Sequence, residues 1–266
     1  MGNHELDAKF YERRVAEKNP TSDNPEMTSL VGRVERWCQI VDGQRILDFG
    51  CYDGYILRTI RDHKKITGAG VDIAPAAVEL ARELAGNTGL TFLVSDGTPL
   101  PFEPASFDVV VCSEILEHVH DLDAVLKEIA RVLAPGGRLF ATMPNTLGDV
   151  WGPLQPLCRR IDEVEGHVRR MSRDDFERTV ESHGFRSKRM RYRGFVLTAI
   201  WYQTLIYTPK AKALGIQLIG AGRSLRERLA KVLAYSGMYL YIIGDRPFSR
   251  YRRSLGIDAV FIRLGD

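Results

Sequence analysis

The chain has 266 residues, 44% hydrophobic and 27% charged, a composition ordinary for a soluble globular protein and without repeats or low-complexity tracts. Its formal net charge of +3 hides an asymmetry: residues 1–150 carry 15 Lys/Arg against 23 Asp/Glu, whereas residues 151–266 carry 22 against 11. The basic second half points to an anionic partner (phosphorylated substrate, anionic membrane or nucleic acid), with a solvated basic face as the plain alternative.

Residues 1–40 read as a helical preamble broken by the loop from Asn19 to Pro25. The stretch from Met1 to Asn19 is polar, with no apolar core that would mark a secretory signal. Cys38, Cys51, Cys112 and Cys158 show neither C-x-x-C pairing nor metal spacing and read as reduced cytosolic thiols, so the expected location is the cytoplasm.

From residue 45 strand and helix signals alternate. Strands are expected at 45–49, 67–72, 90–95, 107–112 and 137–143, rich in the Val, Ile, Leu and Phe of buried parallel strands. Pro75 sits at a first helical position and Gly86 lies just past that helix's end. Leu122, Val125, Leu126, Ile129 and Leu133 form an apolar stripe at helical spacing, stopped by Pro135-Gly136-Gly137. Ser172 with Asp175 opens another helix running to Gly184, followed by a strand at 185–194. Gly256 to Leu264 reads as a last, antiparallel strand. The chain is therefore expected to be one α/β domain, 1–266. Its core would be 45–194 with 255–266, a mostly parallel sheet with helices on both faces.

Residues 195–254 exceed what such a fold needs and read as a helical insertion or lid. The uncharged runs Gly194–Pro209 and Val232–Gly244 are shorter than the ~20 residues that span a bilayer. Ser224 and Glu227 make a capping box, with Leu225, Leu229, Val232 and Leu233 as an apolar face beside Arg226, Arg228 and Lys231. That pattern fits an amphipathic lid, a membrane-surface element or a helical hairpin completing the core.

The richest stretch is Ile46-Leu47-Asp48-Phe49-Gly50-Cys51-Tyr52-Asp53-Gly54, followed by a second strand ending at Val71-Asp72. A strand, a turn with two glycines, a helix, and a carboxylate 22 residues after Gly50 are the layout of a nucleoside site. A dinucleotide fingerprint needs G-x-G-x-x-G, and Tyr52 leaves only G-x-x-x-G. The loop suits a ligand without a pyrophosphate.

The motif order resembles the class I S-adenosylmethionine-dependent methyltransferases, in the methyltransferase type 11-like subgroup that modifies small molecules. Leu47 to Tyr55 is the first motif, Val71-Asp72-Ile73 the second, and Ser95-Asp96-Gly97 leading to Leu100-Pro101-Phe102 the third. Ser106 to Val119 and Arg131 to Leu139 are the fourth and fifth, and His167 ahead of Met171-Ser172 also fits. The resemblance covers about residues 40–195 and the final strand. It implies a Rossmann-like seven-stranded sheet with one antiparallel strand, and S-adenosyl-L-methionine as cofactor.

The resemblance assigns the cofactor contacts to Asp48, Gly50, Cys51, Tyr52, Gly54, Asp72, Ile73, Asp96, Gly97 and Ser113. The glycines let backbone approach the methionine part, where a Cβ would clash. Asp72 would accept from both ribose hydroxyls, unless it is a helix N-cap before Pro75. Asp96 would take the adenine amino group, with Gly97 leaving the ring room, unless the pair is a plain turn. Asp48 would orient the loop or the methionine amino group, and the Ser113 backbone would touch the cofactor. The family usually has Gly where Tyr52 stands; Tyr fits there if its dihedrals are ordinary, and crowds the methionine end.

An oxygen acceptor needs its proton removed, which His does near neutral pH. Glu114, Glu117 and His118 are spaced i, i+3, i+4 and would share one face of a short helix. His118 is the expected general base with Glu117 orienting it, and His167 is a second candidate. No metal is expected, although Glu114, Glu117 and His118 also match a divalent-cation site of methyltransferases resembling the ubiquinone-biosynthesis enzymes. His63 and His183 are expected to lie at solvated helix ends. Tyr11 would close over the cofactor or pack in the core. The expected function is methyl transfer to a small-molecule or lipid- or sugar-linked, anionic acceptor, at oxygen, with peripheral contact to an anionic membrane. An RNA methyltransferase and a non-catalytic cofactor-binding protein are the rivals. Against RNA, the chain shows no RNA-binding module and no Asn-Pro-Pro-Tyr-type motif. A dinucleotide dehydrogenase lacks both the third glycine and a Tyr-x-x-x-Lys pair. Oligomeric state is left open.

Overall fold

The computed structural model describes residues 25–194 and 252–265. The expected insertion, apart from its last residues, its capping box and the preamble up to residue 24, including Tyr11, lie outside them. The described chain begins with helix α1 (Pro25–Cys38), so Pro25 opens a helix where a loop was expected. Its fixed φ suits a first helical position. Leu30, Val31, Val34, Trp37 and Cys38 form the buried stripe of α1.

Strands β1 (Arg45–Phe49), β2 (Thr67–Asp72), β3 (Thr91–Val94), β4 (Phe107–Cys112) and β5 (Leu133–Pro144) alternate with helices α2 (Tyr55–Arg61), α3 (Pro75–Ala85) and α4 (Leu122–Val132). Then come a 3-10 turn (Gly152–Leu154), α5 (Gln155–Glu165), α6 (Arg173–Glu181), β6 (Phe185–Arg193) and β7 (Gly256–Arg263). The seven strands form one sheet in the order β3-β2-β1-β4-β5-β7-β6. β1 to β5 pair in parallel, and β7 runs antiparallel to both β5 and β6, as expected from the sequence. β5 starts at Leu133, ahead of the expected 137, because the chain passes directly from α4 into the sheet through a register shift. The α5 helix carried no clear sequence signal: its residues are largely polar and leave only a thin apolar stripe.

Side chains alternate across the pleat. Val110, Cys112, Leu139, Ala141 and Phe261 face one core with Leu126, Ile129 and Phe176 from α4 and α6. Val109, Val111, Phe140 and Val260 face the other, with Val34, Trp37, Leu57, Ile60 and Val78 from α1, α2 and α3. Burial on both faces is why the central strands read as unbroken apolar runs. The strand order reverses between β1 and β4, each of which passes on to its next strand in the opposite direction. A crevice opens at such a switch point above the carboxyl ends of the strands, where ligands bind in folds of this kind.

One charge sits inside this framework. Asp258, in β7, is 0% exposed and pairs with Arg193 Nε at 2.8 Å, Arg33 Nε at 3.0 Å and Arg191 Nη2 at 3.4 Å. The arginines join α1 to the edge strand β6, and Arg189 and Arg191 also lie over the Trp37 ring. Removing the carboxylate would take from Arg33 and Arg191 the anionic partner they share. Asp258→Ala should therefore lower unfolding stability by about 3 kcal/mol in urea titration, far more than an exposed acid such as Asp174.

Candidate functional site

Four of the expected cofactor segments meet at the carboxyl edge. After β1 the chain turns through Gly50 (φ +81°) and Gly54 (φ +72°), and α2 begins. The Gly50 and Cys51 amides donate to the Val71 carbonyl at 2.8 and 2.9 Å, which fastens the loop to β2. Tyr52 N donates to Asp72 Oδ2 at 2.9 Å and Ala74 N to Oδ1 at 3.0 Å. The N-cap of α3 is Ala74, so Asp72 is not a simple cap. It braces the glycine loop, and each of its oxygens keeps a further lone pair for a ligand hydroxyl.

The glycines are required by the protein itself. A Cβ at Gly50 would meet Ile115 at 2.7 Å, one at Gly54 would meet Phe92 at 2.6 Å, and one at Gly97 would meet Phe49 at 2.6 Å. The protein's own packing thus excludes a side chain at each of the three positions. Tyr52 departs from expectation: its φ is +49°, a left-handed conformation rather than an ordinary one. A glycine at this position would meet no steric resistance.

Acidic groups crowd the loop. Asp48 and Asp53 are 2% and 1% exposed, and Asp48 Oδ2 has no hydrogen-bond partner among the described residues. Burial, then the charges of Asp72 and Asp53, push the Asp48 carboxyl up to about 8. Burial also raises Asp72, against the pull of the Ala74, Tyr52 and Ile73 amides. A buried, orphaned carboxyl beside two others is a cradle for a cation, which fits the ammonium end of the expected cofactor. At the other end of the crevice Asp96 is exposed, Gly97 is buried under Phe49, Ile73 is half-buried behind Asp72, and Ser113 is half-buried after β4. Cys51 lies in the loop with its thiol pushed well up by burial and by Asp48. All four cysteines are free and buried.

The segment after β4 is not a helix. Glu114 takes φ +54°, and a turn closed by His118 N on the Ile115 carbonyl at 3.0 Å follows. Glu114, Glu117 and His118 therefore do not share a helical face. Glu114 turns to Arg193 of β6 and accepts from Thr142 Oγ1 at 2.7 Å. Glu117 points inward, 0% exposed, with neither carboxyl oxygen hydrogen-bonded among the described residues. It does not hold His118, whose Nδ1 lies 3.3 Å from the Gly166 carbonyl.

His167 reaches the same corner from the loop after α5. Val168 N donates to the Glu117 carbonyl at 2.9 Å, and Arg169 donates to the carbonyls of Leu116, Val119 and His120, so the two loops are laced together. The His118 and His167 ring centroids are 4.9 Å apart. Burial, then the nearby His167, hold His118 down to about 4, so its imidazole is neutral at physiological pH. His167 Nδ1 contacts Asp162 Oδ1 at 2.8 Å, and Arg170 Nε bonds both Asp162 oxygens at 2.9 and 2.8 Å. Asp162 and Arg170 were invisible in the sequence, since only the fold of α5 brings them under His167. A cavity of about 310 Å³ opens beside His167, lined also by Thr146, Leu147 and Asp162. His63 and His183 lie away from the site, contacting Glu35 at 2.7 Å and Asp123 at 2.6 Å.

Residues 47–141 match the family model described as a methyltransferase domain. Among curated relatives, the chain is 34% identical over 125 residues to the ubiquinone biosynthesis O-methyltransferase of Idiomarina loihiensis, covering 46% of this chain and 51% of that one. It is 31% identical over 166 residues to the 27-O-demethylrifamycin SV methyltransferase of Amycolatopsis mediterranei, covering 59% of each. The chain thus spans between half and three-fifths of these relatives. Among solved structures, it is similar to the methyltransferase seen in complex with the Haloferax volcanii Trm112 activator, at 21% identity and a TM-score of 0.64, covering 97% and 98% of the two chains. That likeness is one of fold.

The loop yields two predictions. Tyr52→Gly should bind the expected cofactor as well as the natural chain or better in calorimetry, because the left-handed turn loses its side-chain cost of roughly 1 kcal/mol. A large loss of affinity would make the Tyr52 ring a ligand contact. For Asp48, the carboxyl ionises near 3.8 when unfolded and near 8 when folded. The unfolded state releases its proton first, so this group subtracts from stability as pH rises from about 4 to 8. Asp48→Asn should exceed the ligand-free natural chain in unfolding free energy at pH 8, by on the order of 3 kcal/mol, and converge on it near pH 4. A constant difference across that range would show that Asp48 does not titrate there.

Proposed function

We propose that the chain, whose residues 47–141 match the methyltransferase-domain model, transfers the methyl group of S-adenosylmethionine to a hydroxyl of a small-molecule or lipid- or sugar-linked acceptor. The cofactor supplies a methyl already activated on a sulfonium, so the protein's tasks are alignment and removal of the acceptor proton. Asp48 and Asp72, with the left-handed loop between Gly50 and Gly54, would hold the methionine and ribose parts, and Asp96, Gly97 and Ser113 would line the remainder.

The observation that carries oxygen as the accepting atom is the corner formed by Glu117, His118 and His167 at the crevice. A hydroxyl, unlike an amine, must lose its proton to attack, and this corner gathers two imidazoles and a buried carboxyl beside a cavity. The two curated relatives named above are described as acting on oxygen, which supports the same reading.

Labelled S-adenosylmethionine incubated with the protein and fractionated cell extract should mark a small-molecule or lipid fraction. Label confined to RNA or protein would overturn the acceptor class. His118→Ala and His167→Ala should each reduce transfer to that fraction by about 100-fold or more, with cofactor affinity changed less than about two-fold. Transfer surviving both substitutions would remove the corner from the reaction.

A further inference from the structure

His167 meets a carboxylate directly. Its Nδ1 lies 2.8 Å from Asp162 Oδ1, with 9% and 22% of the two side chains exposed. The backbone repeats the tie, since His167 N donates to the Asp162 carbonyl at 3.0 Å. Gly166, with φ +75°, ends α5 and folds the chain back so that both contacts form.

Asp162 is itself held. Arg170 Nε bonds both of its oxygens at 2.9 and 2.8 Å. The same guanidinium donates through Nη1 to the Asn145 carbonyl at 3.1 Å and through Nη2 to the Cys158 carbonyl at 3.3 Å. Asn145 and Cys158 are 0% and 1% exposed, so the fork is anchored in the interior. A guanidinium pairs in this way with an ionised carboxylate, which accepts hydrogen bonds and donates none. Nδ1 of His167 is therefore the donor, and the lone pair of the neutral ring lies on Nε2. The ring lines the cavity of about 310 Å³. The other acids of the corner are not placed to do this. Glu117 has no hydrogen-bond partner among the described residues, and Glu114 is turned to Arg193 and Thr142. Burial, then His167, hold His118 down to about 4, which makes it a weak base.

We propose that Asp162 is a positioning residue for methyl transfer, holding His167 with its proton on Nδ1 so that Nε2 takes the proton of the acceptor hydroxyl. The inference deepens the proposed function and rests on it for the identity of the reaction. As the O–H proton passes to Nε2, the oxygen forms the O–C bond, the C–S bond breaks, and its electron pair leaves with the thioether sulfur. The imidazolium so formed is stabilised by the Asp162 carboxylate and then releases its proton to water.

The first test needs no acceptor. The full chain, isotope-labelled in its histidine ring nitrogens, is examined by NMR at mildly alkaline pH, with His167→Ala identifying the signal. The expected spectrum places the His167 proton on Nδ1, and Asp162→Asn moves it to Nε2, because the new amide donates to Nδ1. A proton on Nε2 in the natural chain would overturn the inference. The second test follows label from S-adenosylmethionine into the small-molecule or lipid fraction. Asp162→Asn should lower kcat by about 10- to 100-fold, with cofactor affinity and the apparent KM for the fraction changed less than about two-fold. Adding Asp162→Asn to His167→Ala should cost nothing further, because the carboxylate acts through the ring. Unimpaired transfer by Asp162→Asn would also overturn the inference, as would a loss that persists when His167 is already Ala. Those outcomes leave methyl transfer itself standing. A chain with the Nδ1 tautomer that labels no fraction would count against the proposed function alone.

Discussion

Hiding a carboxylate from water is costly, and three that this chain hides organise the molecule. Asp258, Asp48 and Glu117 are 0%, 2% and 0% exposed. Asp258 is answered from within by Arg33, Arg191 and Arg193, and that closed cluster fastens α1 and β6 to the sheet. Asp48 and Glu117 are left with unpartnered oxygens among the described residues. The same physical cost therefore has two outcomes. Where cations of the chain pair directly with the acid, the result is architecture; where no donor reaches it, burial instead favours the neutral acid, as at Asp48 and Glu117.

The two open carboxyls lie on either side of the crevice because of the strand order. β1 carries Asp48 and feeds the glycine loop, and β4, its neighbour, feeds the turn that holds Glu117. Ile115 from that turn occupies the space that a side chain at Gly50 would need. The cofactor loop and the acceptor corner are thus packed against each other before any ligand arrives. A shift of the Ile115 turn would be felt at Gly50, and Glu114, with φ +54°, sets the direction of that turn. Arg193 links Glu114 to Asp258, so the buried ion cluster of the sheet also steadies the wall of the site.

Much of this was legible in the sequence, for local reasons. Parallel strands buried on both faces must be apolar throughout, and turns with positive φ favour glycine, so the strands and the Gly50–Gly54 loop could be read directly. Ser172 capped its helix as its spacing with Asp175 implied, its hydroxyl accepting from Asp175 N at 3.1 Å. What failed was any inference needing tertiary partners. The spacing of Glu114, Glu117 and His118 imitates a helix face, but Arg193 and Thr142 hold Glu114 away from the other two. The Asp162–His167 contact depends on how α5 ends, at Gly166 with φ +75°, in a helix whose largely polar residues gave no warning of it. The packing of Ile115, Phe92 and Phe49 against these glycines was likewise beyond the reach of the motif, since it needs residues from other segments.

The division between what was readable and what was not follows the division of labour in the site. The expected cofactor residues sit at the ends of β1, β2, β3 and β4, each in a short run of neighbours in sequence, so they form motifs. The acceptor side joins the turn after β4 to a loop almost fifty residues later, laced by Val168 and Arg169 to backbone carbonyls rather than to particular side chains. Backbone lacing tolerates change in the residues it positions. In the proposed function the corner and the cavity beside it select the acceptor, while the glycine loop serves the cofactor.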